Sequence, residues 1–288
     1  MFGIHDAITE WIKEILIGAI EASLSSMFVD VNERVGTIAS QVGQTPQGWN
    51  SNIFSFTQSL AETVIMPIAA IIITYVLCVE LITMVTEKNS FSDNVDTFMF
   101  FKFVFKAWVA VLILSNTFNI TMAVFDVAQH VVNGAAGVIS GSTSIDIDEV
   151  LEDMDLESYD IPELLLLMIQ AFIMSFALNI LGMVIMVILY GRMIEIYLTC
   201  SVAPIPLATM TNNEWGQMGK NYLRSLFALG FQGFFLMVCV GIYTVLVNDM
   251  IVDPNIHTAM FYLAGYTVLL VYTMGKSGSL AKSIFNAS

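Results

Sequence analysis

Residues 163–191 read ELLLLMIQAFIMSFALNILGMVIMVILYG, and no charged residue stands between Glu163 and Arg192. An apolar stretch of this length is the mark of a transmembrane helix, because the bilayer interior has no water to satisfy an open backbone. At ~1.5 Å rise per residue the run exceeds a hydrocarbon core of about 30 Å. Such a helix must tilt, kink or protrude. Pro162 stands where helices commonly start, which places this span at 163–191.

Four further apolar blocks flank it, at 62–84, 98–115, 223–247 and 258–274. The block at 98–115 opens with Phe98-Met99-Phe100-Phe101 and, with Trp108, reads as an interfacial aromatic belt. Beyond Asn116 its helix is expected to continue towards His130 as an amphipathic extension. The expected fold is therefore all-α, a polytopic helical membrane protein with five transmembrane helices. Composition agrees. The 288-residue chain is 57% hydrophobic and only 12% charged, against about 25% charged in soluble domains.

Ahead of the first block, residues 1–61 read as a separate extracytoplasmic region. Between residues 4 and 28, Ile4, Ile8, Trp11, Ile12, Ile15, Ala19 and Ile20 recur at spacings of three and four. This is the pattern of an amphipathic helix, with Ile4, Ile8, Trp11 and Ile15 as its packing face. The opposite face carries Asp6, Glu10, Lys13, Glu14 and Glu21. Interfacial helices usually carry Lys and Arg, so this mostly acidic face suits a protein partner better than anionic lipid. Residues 29–61 read as a polar connector with one or two short helical pieces. The first 30 residues lack a signal-peptide pattern, so the chain is expected to begin at Met1.

Charge gives an orientation. Lys88, Lys102, Lys106, Arg192, Lys220, Arg224, Lys276 and Lys282 all fall where an N-out, C-in arrangement puts the cytoplasm or its boundary. The loops assigned outside, 115–162 and 248–257, contain no Lys or Arg, as the positive-inside rule requires, and the two remaining basic residues, Lys13 and Arg34, lie in the N-terminal region away from the first span. In this scheme the membrane domain is 62–274, with an acidic external loop at 134–162, a cytoplasmic loop at 192–222 and a cytoplasmic tail at 275–288. The acidic loop holds Asp146, Asp148, Glu149, Glu152, Asp153, Asp155, Glu157 and Asp160. A solvated acidic face accounts for it, since Leu151 occupies the glycine position of a calcium-binding loop.

Few residues suggest chemistry. Glu80 and the pair Lys102 and Lys106 lie near the inner ends of the first two spans. An ion pair that fixes two helices is expected there rather than a proton relay. Arg192 and Glu195, one turn apart, are expected to pair at the boundary. His5, His130 and His257 are scattered, and Cys78, Cys200 and Cys239 match neither zinc nor disulfide spacing, so no metal site is read. Gly275-Lys276-Ser277 follows a span rather than a strand and lacks the earlier glycine of a phosphate loop. No catalytic residue and no cofactor-binding residue is assigned, and the chain is read as not an enzyme. The net charge of −15 argues against a phosphate-binding surface. It does not argue against a protein past which nucleic acid travels.

The connection from Thr199 to Gln232 is the most distinctive stretch. Pro204 and Pro206 break the helix after the long apolar run, Trp215 can anchor at an interface, and Lys220 and Arg224 precede the next span. These five residues form the expected partner-contact loop. Arg192-x-x-Glu195, Ala203-Pro204-Ile205-Pro206-Leu207, Trp215, Gly219-Lys220-Asn221-Tyr222 and Gly230-Phe231-Gln232 together resemble the TrbL-like inner-membrane components of conjugative type IV secretion systems. The form is most similar to small versions carried by integrative elements of Gram-positive anaerobes. The resemblance implies a non-enzymatic channel or assembly-platform subunit in the bacterial cell membrane. It implies a homo-oligomeric ring, contacts with other secretion-system subunits and ATPases, and transient passage of single-stranded DNA with its relaxase. The competing reading is a small-solute membrane transporter or permease. An odd number of spans and the lack of a visible internal repeat weigh against it, with Asn179 and Gln232 as the central polar candidates for a transport site, each able to bond a neighbouring helix.

Overall fold

The computed structural model describes residues 2–86, 97–139, 156–212, 214–250 and 256–287. The stretch holding Asp146 to Asp155, Lys88, and the side chains of Ile4 and His5 lie outside the described residues. Among the described residues, ten helices and two short turns follow in order, with no strand. They are α1 (Phe2–Val42), α2 (Pro46–Trp49), α3 (Ser51–Leu60), a π turn (Ala61–Ile65), α4 (Met66–Thr86), α5 (Thr97–Ser115) and α6 (Thr117–Ile139). A 3-10 turn (Leu156–Ser158) precedes α7 (Ile161–Ser201), α8 (Pro204–Thr209), α9 (Gly216–Met250) and α10 (Ile256–Ile284).

Among the described residues, five helical stretches are long and apolar enough to cross a membrane: Ser51–Thr86, Thr117–Ile139, Ile161–Ser201, Gly216–Asp249 and His257–Ile284. Four contain the expected spans. The expected block at 98–115 is α5, and the helix expected to run on past Asn116 is the separate helix α6, which is one of the five. The two are separated at Asn116, whose side-chain amide donates to Leu112 O at 2.9 Å. The Thr117 hydroxyl donates to Leu114 O at 2.8 Å. The Asn116 N–H also donates to Leu112 O at 3.2 Å, so side-chain donors reinforce the carbonyls at this junction.

Local starts follow ordinary capping. Thr45 accepts from Gly48 N at 3.0 Å with Pro46 at the first position of α2, and Asn50 Oδ1 accepts from Asn52 N and Ile53 N to open α3. At α7, Glu163 Oε2 accepts from Asp160 N at 3.1 Å, the reaching-back half of a capping box, with Pro162 in the first turn.

The chain divides into two compact units. The first comprises Met1–Gly43, Val132–Tyr190 and Phe235–Ser277. Here α1 runs beside α7 in the same direction. Lys13 Nζ donates to Glu157 O at 3.5 Å and Arg34 donates to Leu178 O at 2.7 Å, each pair 144 residues apart. From Leu16 onward α1 buries Ile20, Leu24, Met27, Val31 and Ile38. The helix was expected to stop near residue 28, but it continues because this stripe persists while Glu33, Thr37 and Ser40 turn outward. Ile8, Trp11 and Ile15, on the opposite side, are each more than half exposed. Also in this unit, His257 Nδ1 meets Gln170 Oε1 at 2.6 Å, and the Tyr243 and Thr267 hydroxyls meet at 3.0 Å.

The second unit comprises Gln44–Val131, Gly191–Phe234 and Gly278–Ser288. One core joins Ala61, Phe118, Phe125, Met193, Ile196 and Leu229, with Trp49 and Phe54 packed against it. A second core joins Ala69 and Ile73 of α4, Ala110 and Leu114 of α5, and Ala208 of α8. The Tyr197 hydroxyl donates to Pro46 O at 2.5 Å, tying the start of α2 to α7.

Candidate functional site

The connection between α7 and α9 is not a loose loop. Pro204 ends α7 and opens the six-residue helix α8, in which Pro204, Pro206, Leu207, Ala208 and Thr209 are buried. The methyl of Ala208 sits among Ala69, Ile73, Ala110 and Leu114. Small residues on three helices permit this close approach, as in membrane helix packing generally. Thr209 donates its hydroxyl to Pro206 O at 2.8 Å, so the buried turn is internally satisfied.

Beside α8, Lys106 Nζ donates to Glu80 Oε1 across the α4–α5 pair. Of the two lysines weighed against Glu80, Lys102 is exposed and Lys106 makes the pair. Asn212 Nδ2 donates to the other carboxylate oxygen, Glu80 Oε2, at 3.2 Å. The connection is thereby tied into the ion pair. Asn212 Oδ1 accepts from Glu214 N and Trp215 N, both at 2.8 Å, and turns the chain into α9. The Trp215 ring lies 5.7 Å from that of Tyr75 on α4.

Glycine makes the next approach possible. A Cβ at Gly219 would lie 2.7 Å from Pro206 O and 2.8 Å from Met210 Cβ, and one at Gly216 would lie 2.9 Å from Met210 O. The first turn of α9 therefore rests directly on the backbone of the connection. Lys220 and Arg224 are one turn apart on α9 and exposed, and Trp215 is 47% exposed. Of the five residues expected to meet partners, the structure buries Pro204 and Pro206 within the chain. It leaves Trp215, Lys220 and Arg224 accessible.

The expected pair between Arg192 and Glu195 is not formed. Glu195 Oε1 accepts instead from Lys282 Nζ at 2.9 Å. Arg192 is buried, and its Nε has no hydrogen-bond partner. Three helical positions differ by about 60° around the axis, enough here to send one side chain inward and the other to the C-terminal segment. Cys200 is buried, as read from its apolar surroundings. Among the described residues, no three His, Cys, Asp or Glu side chains come together as metal ligands would. Sequence reasoning missed Asn212, Tyr75 and Lys282. Asn212 alone carried a signal, as the capping residue three positions before Trp215.

Fold and site together define a polytopic helical membrane protein whose proline-containing connection between α7 and α9 is packed against its own helices. A family model described as TrbL/VirB6 plasmid conjugal transfer like protein matches residues 31–204, more than half of the chain. The chain belongs to this family. Comparison with curated proteins and with solved structures found no match.

Proposed function

We propose that the protein is a non-enzymatic channel or assembly-platform subunit of a conjugative type IV secretion system, supporting transfer of a DNA–relaxase substrate across the cell membrane. The family match carries this reading, and it makes the chain a conjugal-transfer component. In the arrangement we propose, subunits form a homo-oligomeric ring with the N-terminus outside and the C-terminus inside. Trp215, Lys220 and Arg224 then meet the energising ATPases or other subunits from the cytoplasmic face. Support comes from the way the connection is held: α8, Asn212 and the glycines fix Trp215 and the start of α9, so a partner would bind a preorganised surface.

The test is mating efficiency with Trp215→Ala and with the double substitution Lys220→Glu/Arg224→Glu, each compared at equal membrane level. Transfer should fall about tenfold or more, equivalent to ~1.4 kcal/mol of lost contact. Normal transfer from both variants would remove the partner-contact role.

A further inference from the structure

The outward stripe of α1 has the wrong polarity for lipid. Ile8, Trp11 and Ile15 lie on the same side of the helix as Glu33, Thr37 and Ser40, by helical spacing. All six are exposed. With the 144-residue offset between α1 and α7, Glu33 and Thr37 stand level with residues 177 and 181.

That level is inside the bilayer if α7 crosses it. The charge-free run of α7 extends from Leu164 to Gly191. A hydrocarbon core needs about 20 helical residues. Any such window laid within the run contains 172–183. At this level the outer surface of α7 presents Phe172, Ile173, Phe176, Ile180 and Met183, all exposed and apolar. The neighbouring outer surface of α1 presents a carboxylate and hydroxyls.

Behind the stripe sits a charged cluster. Arg34 donates to Leu178 O at 2.7 Å and to Asn179 Oδ1 at 3.1 Å, and lies 3.6 Å from Asp30. Gly182 makes this possible: an added Cβ would coincide with the guanidinium. A cavity of about 210 Å³ lies here, lined by Asp30, Glu33, Arg34 and Thr37 together with Gly182 and Met186. Ionisable groups at membrane depth face a protein interior or a water-filled cavity.

We propose that the Glu33–Thr37–Ser40 face of α1, backed by Asp30 and Arg34, lines a water-filled path through the hydrocarbon level. Its occupant is water and hydrated solute, neither lipid nor the flat apolar face of a second copy. The proposal deepens the translocation reading and rests on it for what the path serves. It also revises the expectation that residues 1–61 stand wholly outside the membrane.

The experiment is thiol labelling of the full chain in membranes of cells carrying the rest of its secretion system. Glu33→Cys, Thr37→Cys and Phe176→Cys are made separately in a background with Cys78→Ser and Cys239→Ser. The probes are a charged methanethiosulfonate and a small uncharged maleimide. Thiols react as thiolates, which form in water and not in lipid. Thr37→Cys is close in size to the native residue and leaves the Arg34 contacts in place, so it stands if Glu33→Cys fails to fold. The charged probe should label the cysteines at 33 and 37 at least about tenfold faster than the one at 176, the rate ratio following thiolate access. Equal rates at all three positions would place the face in lipid and overturn the proposal. Protection of 33 and 37 from both probes would mean burial against another subunit and would also overturn it. Because labelling needs no DNA transfer, its outcome is separate from the mating test of Trp215, Lys220 and Arg224.

Discussion

Replacing Gly219 with alanine tests whether α9 rests on the connection as closely as described. The new Cβ would lie 2.7 Å from Pro206 O, 2.8 Å from Met210 Cβ and 3.0 Å from Met210 Cα. Two of these are backbone atoms, so no side-chain rotation relieves them, and the connection must move. Overpacking of this kind costs roughly 1–3 kcal/mol. Alanine in a helix is worth ~0.8–1 kcal/mol over glycine, which masks part of that cost. Gly265→Ala supplies the correction, because a Cβ there meets nothing within 4 Å and should show the propensity gain alone. The difference between the two variants is then the overpacking cost. At ~2–4 °C per kcal/mol for a chain of this class, Gly219→Ala should melt several degrees below Gly265→Ala in mild detergent. Transfer should fall with it, since Trp215 and Lys220 move with the first turn of α9. A Gly219→Ala protein as stable as Gly265→Ala would show that the approach is not tight and would refute the reasoning.

Two further outcomes follow from the second unit. Glu80→Gln should destabilise because it leaves Lys106 and Asn212 without their carboxylate, while Glu80→Gln with Lys106→Gln should cost less than the sum of the single changes, by about 0.5–3 kcal/mol of coupling; additive unfolding free energies would mean that the pair does not interact. Tyr197→Phe removes the hydroxyl that donates to Pro46 O and should cost about 1–2 kcal/mol for the buried carbonyl left behind, and an unchanged melting temperature would place water at that carbonyl instead.

Much of the molecule is legible from residue order alone. The run from Leu164 to Gly191 requires a spanning helix wherever it sits, because an unsatisfied backbone is too costly in hydrocarbon. The same holds for the blocks around 62–84, 223–247 and 258–274. Pro204 and Pro206 end α7 through a local steric and donor effect that needs no tertiary partner. The resemblance drawn from Arg192 to Gln232 pointed to the family to which the chain belongs.

Only the tertiary structure decided the rest. Periodicity shows that a helix has an apolar face, but not what covers it. In α1 the stripe at Ile8, Trp11 and Ile15 stays exposed, and the opposite stripe from Leu16 is the one that packs. Sequence placed Glu80 within reach of two lysines and Arg192 within reach of Glu195. The choice of Lys106 for the first, and of Lys282 for Glu195, depends on which helices lie side by side. Local rules act over one turn of chain, whereas the Glu80–Lys106 and Glu195–Lys282 pairs and the contacts of Arg34 with Leu178 and Asn179 join positions 26 to 145 residues apart, which only folding brings within a few ångströms.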